Sequence, residues 1–252
     1  MSTKCILNPH FQELETFVNS LHIHFEDGGT TLYDKRNVIK LFEEGGKRIV
    51  AKRFRTPIAI QRLVYSFFRK SKAERAYLNG FELQKRGFST PESIAYIEVK
   101  RHGLLAESYY ISTETNLPPI EEQLDKTDFN VSLAEDFADY VVRLHEKGIL
   151  HHDLNDTNVL YRDGKEGFSF TVIDCNRMRF YAADTWPPLA ECMENLTRFT
   201  GNYQLFRVVA ERYCQTRGLS PSTVDTFMEV KKRHDERRKR RKSFFKRFKK
   251  TS

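Results

Sequence analysis

Apolar and polar positions divide this chain into a first part with a two-residue period and a second part with helical spacing. Leu21, Ile23 and Phe25 alternate with His22 and His24, which predicts a strand. Glu26-Asp27-Gly28-Gly29 breaks it. Residues 38–42 predict a second strand, Glu43-Glu44-Gly45-Gly46 a turn, and residues 49–54 a third strand, so the region 21–55 predicts an antiparallel meander. Ala73, Tyr77, Leu78 and Phe81 then fall at helical spacing, with Gly87 as the stop. Residues 94–99 and 104–111 predict a second hairpin, turning at Arg101-His102-Gly103. The aromatic and basic run at 56–68 predicts an insert packed beside the helix, and the polar, proline-containing stretch 112–119 a hinge.

Beyond the hinge, Leu133, Phe137, Tyr140, Val141 and Leu144 mark one helix face, opened by a Ser132-Leu133-Ala134-Glu135 capping box and stopped by Gly148. Pro187 or Pro188 starts a helix through Leu189, Met193 and Leu196, and another covers 203–214. These elements predict an α+β chain in three parts: a β-rich region 1–112, a helical region 113–230 and a tail 231–252.

Charge sharpens that division. The chain has 252 residues and a net charge of +8, but residues 231–250 hold 13 Lys or Arg against Asp235 and Glu236, a net of +11 that leaves the rest at −3. On a helix Phe244, Phe245 and Phe248 share a face ringed by cations, which suits an interfacial helix on anionic lipid. Nucleic acid is the less favoured partner, and a solvated tail is the plain alternative. No apolar run approaches the roughly 20 residues of a membrane-spanning helix. The N-terminus has no signal-peptide pattern, so export by that route is not expected. Cys5, Cys175, Cys192 and Cys214 have neither zinc nor disulfide spacing, which predicts reduced thiols in a cytoplasm.

The chemistry concentrates between Leu144 and Met178. Asp153 opens Asp-Leu-Asn-Asp-Thr-Asn, so Asn158 follows it by five residues. Two short apolar segments with a polar turn come next, and Asp174 stands where the second ends. Phosphoryl transfer requires such a set: an acceptor beside the attacking hydroxyl, and oxygen ligands on rigid neighbouring elements for magnesium. Any one of these residues alone is equally a loop residue in an Asx turn; the spacing of the set carries the reading. Lys52 lies inside the third strand, where a buried cation needs a partner, and Glu74 on the following helix is the candidate. An edge lysine and a solvated helix glutamate are the alternatives. Gly28 and Gly29, between the first two strands, can cover phosphates with backbone amides, or form a plain hairpin turn. The G-x-x-x-x-G-K-[ST] pattern is absent, which disfavours a P-loop enzyme. His145 reads as a hydrogen-bonded core histidine.

Three stretches resemble the protein kinases. His151-His152-Asp153-Leu154 with Asn158 stands where the His-Arg-Asp-Leu loop and its asparagine are usual, Ile173-Asp174-Cys175-Asn176 where Asp-Phe-Gly is usual, and Ile49-Val50-Ala51-Lys52 resembles the Val-Ala-Ile-Lys strand. From about Leu32 to Gly218 the chain is similar to the lipopolysaccharide core kinases, the Kdo and heptose kinases, in particular the branch found in Bacteroides-like bacteria. YDKRNVIK (33–40), VAKRF (50–54), SKAERAY (71–77), GFSTP (87–91), ESYYIS (107–112), HHDLNDTNVL (151–160) and IDCNRM (173–178) carry the resemblance.

The resemblance implies a bilobal protein-kinase-like fold, with an antiparallel β-rich N-lobe and a helical C-lobe, using ATP and Mg2+. It implies Lys52 on the phosphates with Glu74 as its partner, Asp153 as proton acceptor, Asn158 and Asp174 as magnesium ligands, and hinge backbone around Tyr110 and Ser112 on adenine. It also implies a Kdo or heptose hydroxyl of the lipopolysaccharide core, on a lipid A glycolipid, as acceptor. The work would be done at the cytoplasmic face of the inner membrane, with the basic tail as peripheral anchor. Asn155 replaces the lysine of Ser/Thr protein kinases, as a sugar kinase would have it. Cys175-Asn176 removes the usual regulatory phenylalanine, and no Ala-Pro-Glu follows. A RIO-like protein kinase and a membrane-tethered pseudokinase are the alternatives.

Overall fold

The computed structural model describes residues 1–55, 62, 64–66, 68–165 and 167–249, with the backbone alone for 242 and 244–249. The chain divides into two compact units: Met1–Asn116 with Val172–Arg177, and Leu117–Thr171 with Met178–Ser252. The division falls after Asn116, four residues beyond the expected boundary, and the segment carrying Asp174 belongs with the first unit.

The first unit is a six-stranded antiparallel sheet in the order β1-β5-β6-β4-β3-β2. Its strands are β1 (Ser2–Leu7), β2 (Thr30–Asp34), β3 (Val38–Glu44), β4 (Lys47–Phe54), β5 (Ser93–Arg101) and β6 (Leu104–Thr113). Successive side chains of β4 point to opposite faces, which is why one strand serves two cores. Ile49 and Ala51 face α1 (Glu15–His24) and join Phe11, Leu14, Val18, Leu21, Phe25, Ile97 and Tyr109. Phe54, on the other face, packs with Tyr96 against Ala73, Ala76 and Tyr77 of α2 (Lys72–Lys85). Ser71 caps α2 by accepting the Glu74 N–H at 3.1 Å.

Residues 21–25 form no strand; they complete α1. Their alternation is real, but Val18, Leu21 and Phe25 also lie at helical spacing, and those are the buried side chains, while Ile23 is exposed. Gly28 and Gly29 therefore lie between a helix and β2, not between two strands. Lys40 closes this corner: its Nζ donates to the carbonyls of Glu26 (2.6 Å) and Gly28 (3.0 Å) beyond the helix end. The hairpin between the sheet's first long strands is instead Lys35-Arg36-Asn37, between β2 and β3.

The second unit contains α3 (Glu121–Leu124), α4 (Val131–Glu146), α5 (Leu189–Leu196), α6 (Tyr203–Thr216) and α7 (Thr223–Lys249), with two small two-stranded sheets. Of these, β7 (Ile149–His151) pairs with β10 (Met178–Phe180), and β8 (Val159–Gly164) with β9 (Gly167–Val172). The five apolar residues expected on one face of α4 are all buried. Its cap is Asn130, whose Oδ1 accepts the Leu133 N–H at 3.0 Å, so Ser132 lies inside the helix and the expected capping box is displaced by two residues. The tail is no separate element: it is the continuation of α7, which begins at Thr223. Phe244, Phe245 and Phe248 fall outside the residues whose side chains are described, and the insert at 56–68 lies largely outside the described residues.

Two glycines test this packing. Both Gly29 (φ +65) and Gly46 (φ +72) are left-handed, but a Cβ on Gly29 would lie 2.7 Å from the Leu41 carbonyl oxygen and 2.8 Å from the Phe42 ring, whereas one on Gly46 meets nothing within 4 Å. Urea unfolding of Gly29→Ala is expected to show about 1–3 kcal/mol more destabilisation than Gly46→Ala, since overpacking adds to a shared backbone strain.

Candidate active site

In the first unit, Lys52 stands on the α2 face of β4, and its Nζ lies 2.8 Å from Asp174 Oδ1. Both side chains are largely buried, at 14% and 23% exposure, so each charge depends on the other for compensation. Asp174 has φ +57, a left-handed conformation that short polar side chains tolerate best. The 3-10 turn Cys175–Arg177 holds it there. Asn79 of α2 donates to the Cys175 carbonyl at 2.7 Å, the Asn176 amide donates to the Asp174 carboxylate, and Thr90 Oγ1 lies 3.5 Å from Cys175 Sγ. Burial pushes the Cys175 thiol up to about 12, which makes it inert packing beside the carboxylate.

Glu74 does not take the place expected for it. The ion pair of Lys52 goes to Asp174, while Glu74 lies in electrostatic range of Lys4 and Tyr96. The helix explains this. Ala73, Ala76, Tyr77, Gly80 and Leu83 form the buried face of α2, and Glu74 is turned about 100° from Ala73. Lys72 lies in electrostatic range of Asp174 and of three arginines. Burial first, then the charges of Arg36, Arg177 and Arg75, hold Lys72 below the usual lysine range, with Asp174 acting in the opposite sense. Sequence reasoning missed Arg36 and Lys72; the hairpin assignment that would have found Arg36 was lost when 21–25 was read as the first strand.

Tyr110 and Ser112 lie inside β6, paired with β4 on one side and β5 on the other. Their backbone groups belong to the ladders of a central strand, and the Tyr110 hydroxyl lies 3.0 Å from Ser93 Oγ. The chain leaving the sheet is Glu114 to Asn116, two residues beyond the expected hinge contacts. Gly28 has its amide engaged with the His24 carbonyl at 2.9 Å.

In the second unit, β7 delivers His151, which is fully buried. Its Nδ1 accepts the Asp153 N–H at 3.2 Å, and its carbonyl accepts the Leu154 N–H (2.9 Å) and Asn195 Nδ2 (2.8 Å). Asn158 closes the loop, donating from Nδ2 to the Asp153 carbonyl at 2.9 Å. The donor end of that amide is engaged, and its oxygen is the end that can ligate a cation. Arg198 Nη1 lies 3.4 Å from Asp153 Oδ1, a contact from 45 residues downstream that no local motif announces. The five-residue spacing from Asp153 to Asn158 is therefore structural as well as chemical.

A carboxylate and an amide oxygen are hard donors that fit magnesium, which takes few protein ligands and completes its shell with phosphate and water. Among the described residues no cluster of three or more His, Cys, Asp or Glu could hold a metal.

A family model, the lipopolysaccharide kinase (Kdo/WaaP) family, matches residues 37–199. That span includes Lys52, Glu74, Tyr110, Ser112, Asp153, Asn158 and Asp174, and excludes Gly28, Gly29 and the tail. No curated protein sequence matches. Among solved structures, WaaP in complex with acyl carrier protein aligns with a TM-score of 0.61 at 15% identity, covering 90% of this chain and 97% of that one. The Rio2 kinase complex with ADP/Mg2+ and phosphoaspartate from Chaetomium thermophilum gives a TM-score of 0.45 at 16% identity, covering 86% and 75%. The fold is protein-kinase-like, as expected, with α and β elements mixed and the sheet antiparallel.

Behind the catalytic loop lies a buried polar chain. His145 Nδ1 is 2.8 Å from the Tyr213 hydroxyl, and its Nε2 is 3.0 Å from Asn195 Oδ1. Asn195 Nδ2 already donates to His151, so Oδ1 must accept, which places the His145 proton on Nε2. Burial holds His145 down at about 4, so folding keeps it neutral. The stability it contributes is complete above pH 6.5 and is lost as pH falls from 6.5 towards about 4, a share of about 3 kcal/mol. Nitrogen-15 NMR of labelled histidine is expected to show His145 as the Nε2–H tautomer at pH 7, with no titration down to pH 5.

Proposed function

The chain belongs to the lipopolysaccharide kinase (Kdo/WaaP) family, and on that premise we propose how its residues divide the work. It is a phosphotransferase that acts on a sugar of the lipopolysaccharide core. Its donor, we infer, is ATP with magnesium, and its acceptor a Kdo or heptose hydroxyl.

The ion pair of Lys52 with Asp174 carries the reading, because it joins a strand cation to a carboxylate that follows a second apolar segment. Lys52 binds phosphate oxygens. Arg36, at the tip of the β2–β3 hairpin, and Lys72, at the start of α2, add positive charge where a kinase of another kind has glycine amides. Asn158 and Asp174 hold magnesium, which when bound neutralises charge on the phosphates. Asp153 accepts the proton of the attacking sugar hydroxyl, and His151 and Asn158 keep its backbone in place for that task. Backbone at Glu114 to Asn116 is the adenine candidate. Most of the catalysis on this account is positioning and charge neutralisation.

The exposed cations of α7 attract an anionic membrane surface at about 1 kcal/mol each, which supports peripheral attachment at the cytoplasmic face. Lys231 is excepted, being 2% exposed. Among the described residues no helix is long and apolar enough to cross a membrane.

Phosphate transfer from labelled ATP to a Kdo-bearing lipid A acceptor, beside a generic protein substrate, tests this. Label is expected on the glycolipid. Asp153→Asn is expected to lower kcat by about 10²–10⁴, with its circular dichroism unchanged. Near wild-type transfer by Asp153→Asn would remove the base assignment. Label on protein alone would favour the RIO-like reading, and no transfer with nucleotide still bound would favour the pseudokinase.

A further inference from the structure

The basic helix α7 makes a connection that membrane attraction does not require. Lys231, the first residue of the charged run, is buried with a positive charge, which is costly unless every donor is used. Its Nζ donates to the Thr197 carbonyl at 3.0 Å and lies 3.0 Å from Asp235 Oδ2, one helical turn on. Tyr203 donates to the same carboxylate at 3.1 Å, and the Tyr203 and Phe206 rings lie within 6 Å of the ammonium (5.8 and 5.7 Å). Six residues further along α7, Arg237 reaches Glu194 at 3.4 Å. A helix whose only task was to present charge to lipid would spend none on a backbone carbonyl of its own unit.

The segment so held, residues 194–198, is the one that touches the catalytic loop. Asn195 donates to the His151 carbonyl at 2.8 Å, and Arg198 reaches Asp153 Oδ1 at 3.4 Å. Asn195, Leu196, Thr197 and Phe199 are buried, and Phe199 packs on Phe137 with ring centroids 5.0 Å apart. Arg198 leans outward, at 46% side-chain exposure. The Thr197 carbonyl is half of the peptide plane from which Arg198 departs. Fixing that carbonyl fixes the position of the Arg198 Cα, the point from which its side chain reaches out. The guanidinium on one carboxylate oxygen in turn favours one orientation of the Asp153 side chain.

We propose that Arg198 and Lys231 are positioning residues for phosphate transfer: α7 braces the Thr197 carbonyl through Lys231, and Arg198 orients Asp153. The inference rests on Asp153 as the base. It makes α7 part of the catalytic machinery as well as a charged surface. It also explains how a loop with Asn155, in place of the lysine of Ser/Thr protein kinases, still has a cation beside its carboxylate.

The test is a double-mutant cycle on the full chain, with ATP and the Kdo-bearing glycolipid, measuring kcat and the KM for ATP. Arg198→Met, a surface change that leaves the core intact, is expected to lower kcat about tenfold with KM for ATP within about twofold. Arg198→Lys is expected to restore part of the rate. Lys231→Met is expected to cost about tenfold in kcat alone but less than about twofold in the Arg198→Met background. An unchanged kcat in Arg198→Met would overturn the proposal. So would an equal Lys231→Met effect in both backgrounds, which is the signature of a merely structural lysine. Asp153→Asn active at the wild-type rate would instead remove the base assignment, a separate failure.

Discussion

Two charges that cannot be buried singly organise the first unit. Lys52 projects from a strand whose neighbours on that face are apolar or packed, and Asp174 projects from a left-handed residue at the end of another segment. Each is sheltered enough that removing one would strand the other. The pair therefore requires the sheet to bring β4 into register beside β6, the helix α2 to roof that face, and the turn after Asp174 to be pinned by Asn79 and Thr90. The additional β1 and α1 complete the opposite face, so that β5 is flanked on both edges and β4 can devote alternate residues to two cores. At rest the cation and the carboxylate satisfy each other.

The second unit solves a different problem, that of holding a loop still without regular structure. Here the means are polar and buried. His145, Tyr213, Asn195 and His151 form a chain of hydrogen bonds in which each donor has an assigned acceptor, and a network satisfied in that way rigidifies what it touches. Asn158 then fastens the loop's far end to the Asp153 carbonyl. His145, His151 and Asn195 are buried behind the loop, while Asp153 is half-buried beside them.

Much of this was legible in the order of residues. Strands β3 to β6, the β8–β9 hairpin and α4 to α6 follow from periodicity and spacing, because each is defined by neighbours close in sequence. Where two patterns coincided, burial decided between them: Leu21 and Phe25 fit a strand and a helix equally, and only the partners supplied by Phe42 and Tyr109 favoured the helix. The expected strand over 21–25 placed the first hairpin turn at Gly28-Gly29, whereas the structure has it at Lys35-Arg36-Asn37. The partner of Lys52 was illegible for a different reason. A glutamate one residue from the buried face of a helix is about 100° from where it was wanted, and sequence spacing alone does not orient the helix. Arg198 and Lys231 reach their partners across 45 and 34 residues, distances at which no motif operates.

We propose that Asp174 exchanges Lys52 for magnesium when nucleotide binds. Calorimetric titration of ATP into wild-type protein and Asp174→Asn, each with and without Mg2+, addresses it most directly. Wild-type affinity is expected to rise at least about tenfold with magnesium, while Asp174→Asn, with Lys52 released, binds ATP without magnesium at least as tightly as wild type and gains little from the metal. A magnesium enhancement in Asp174→Asn equal to that of wild type would contradict the account.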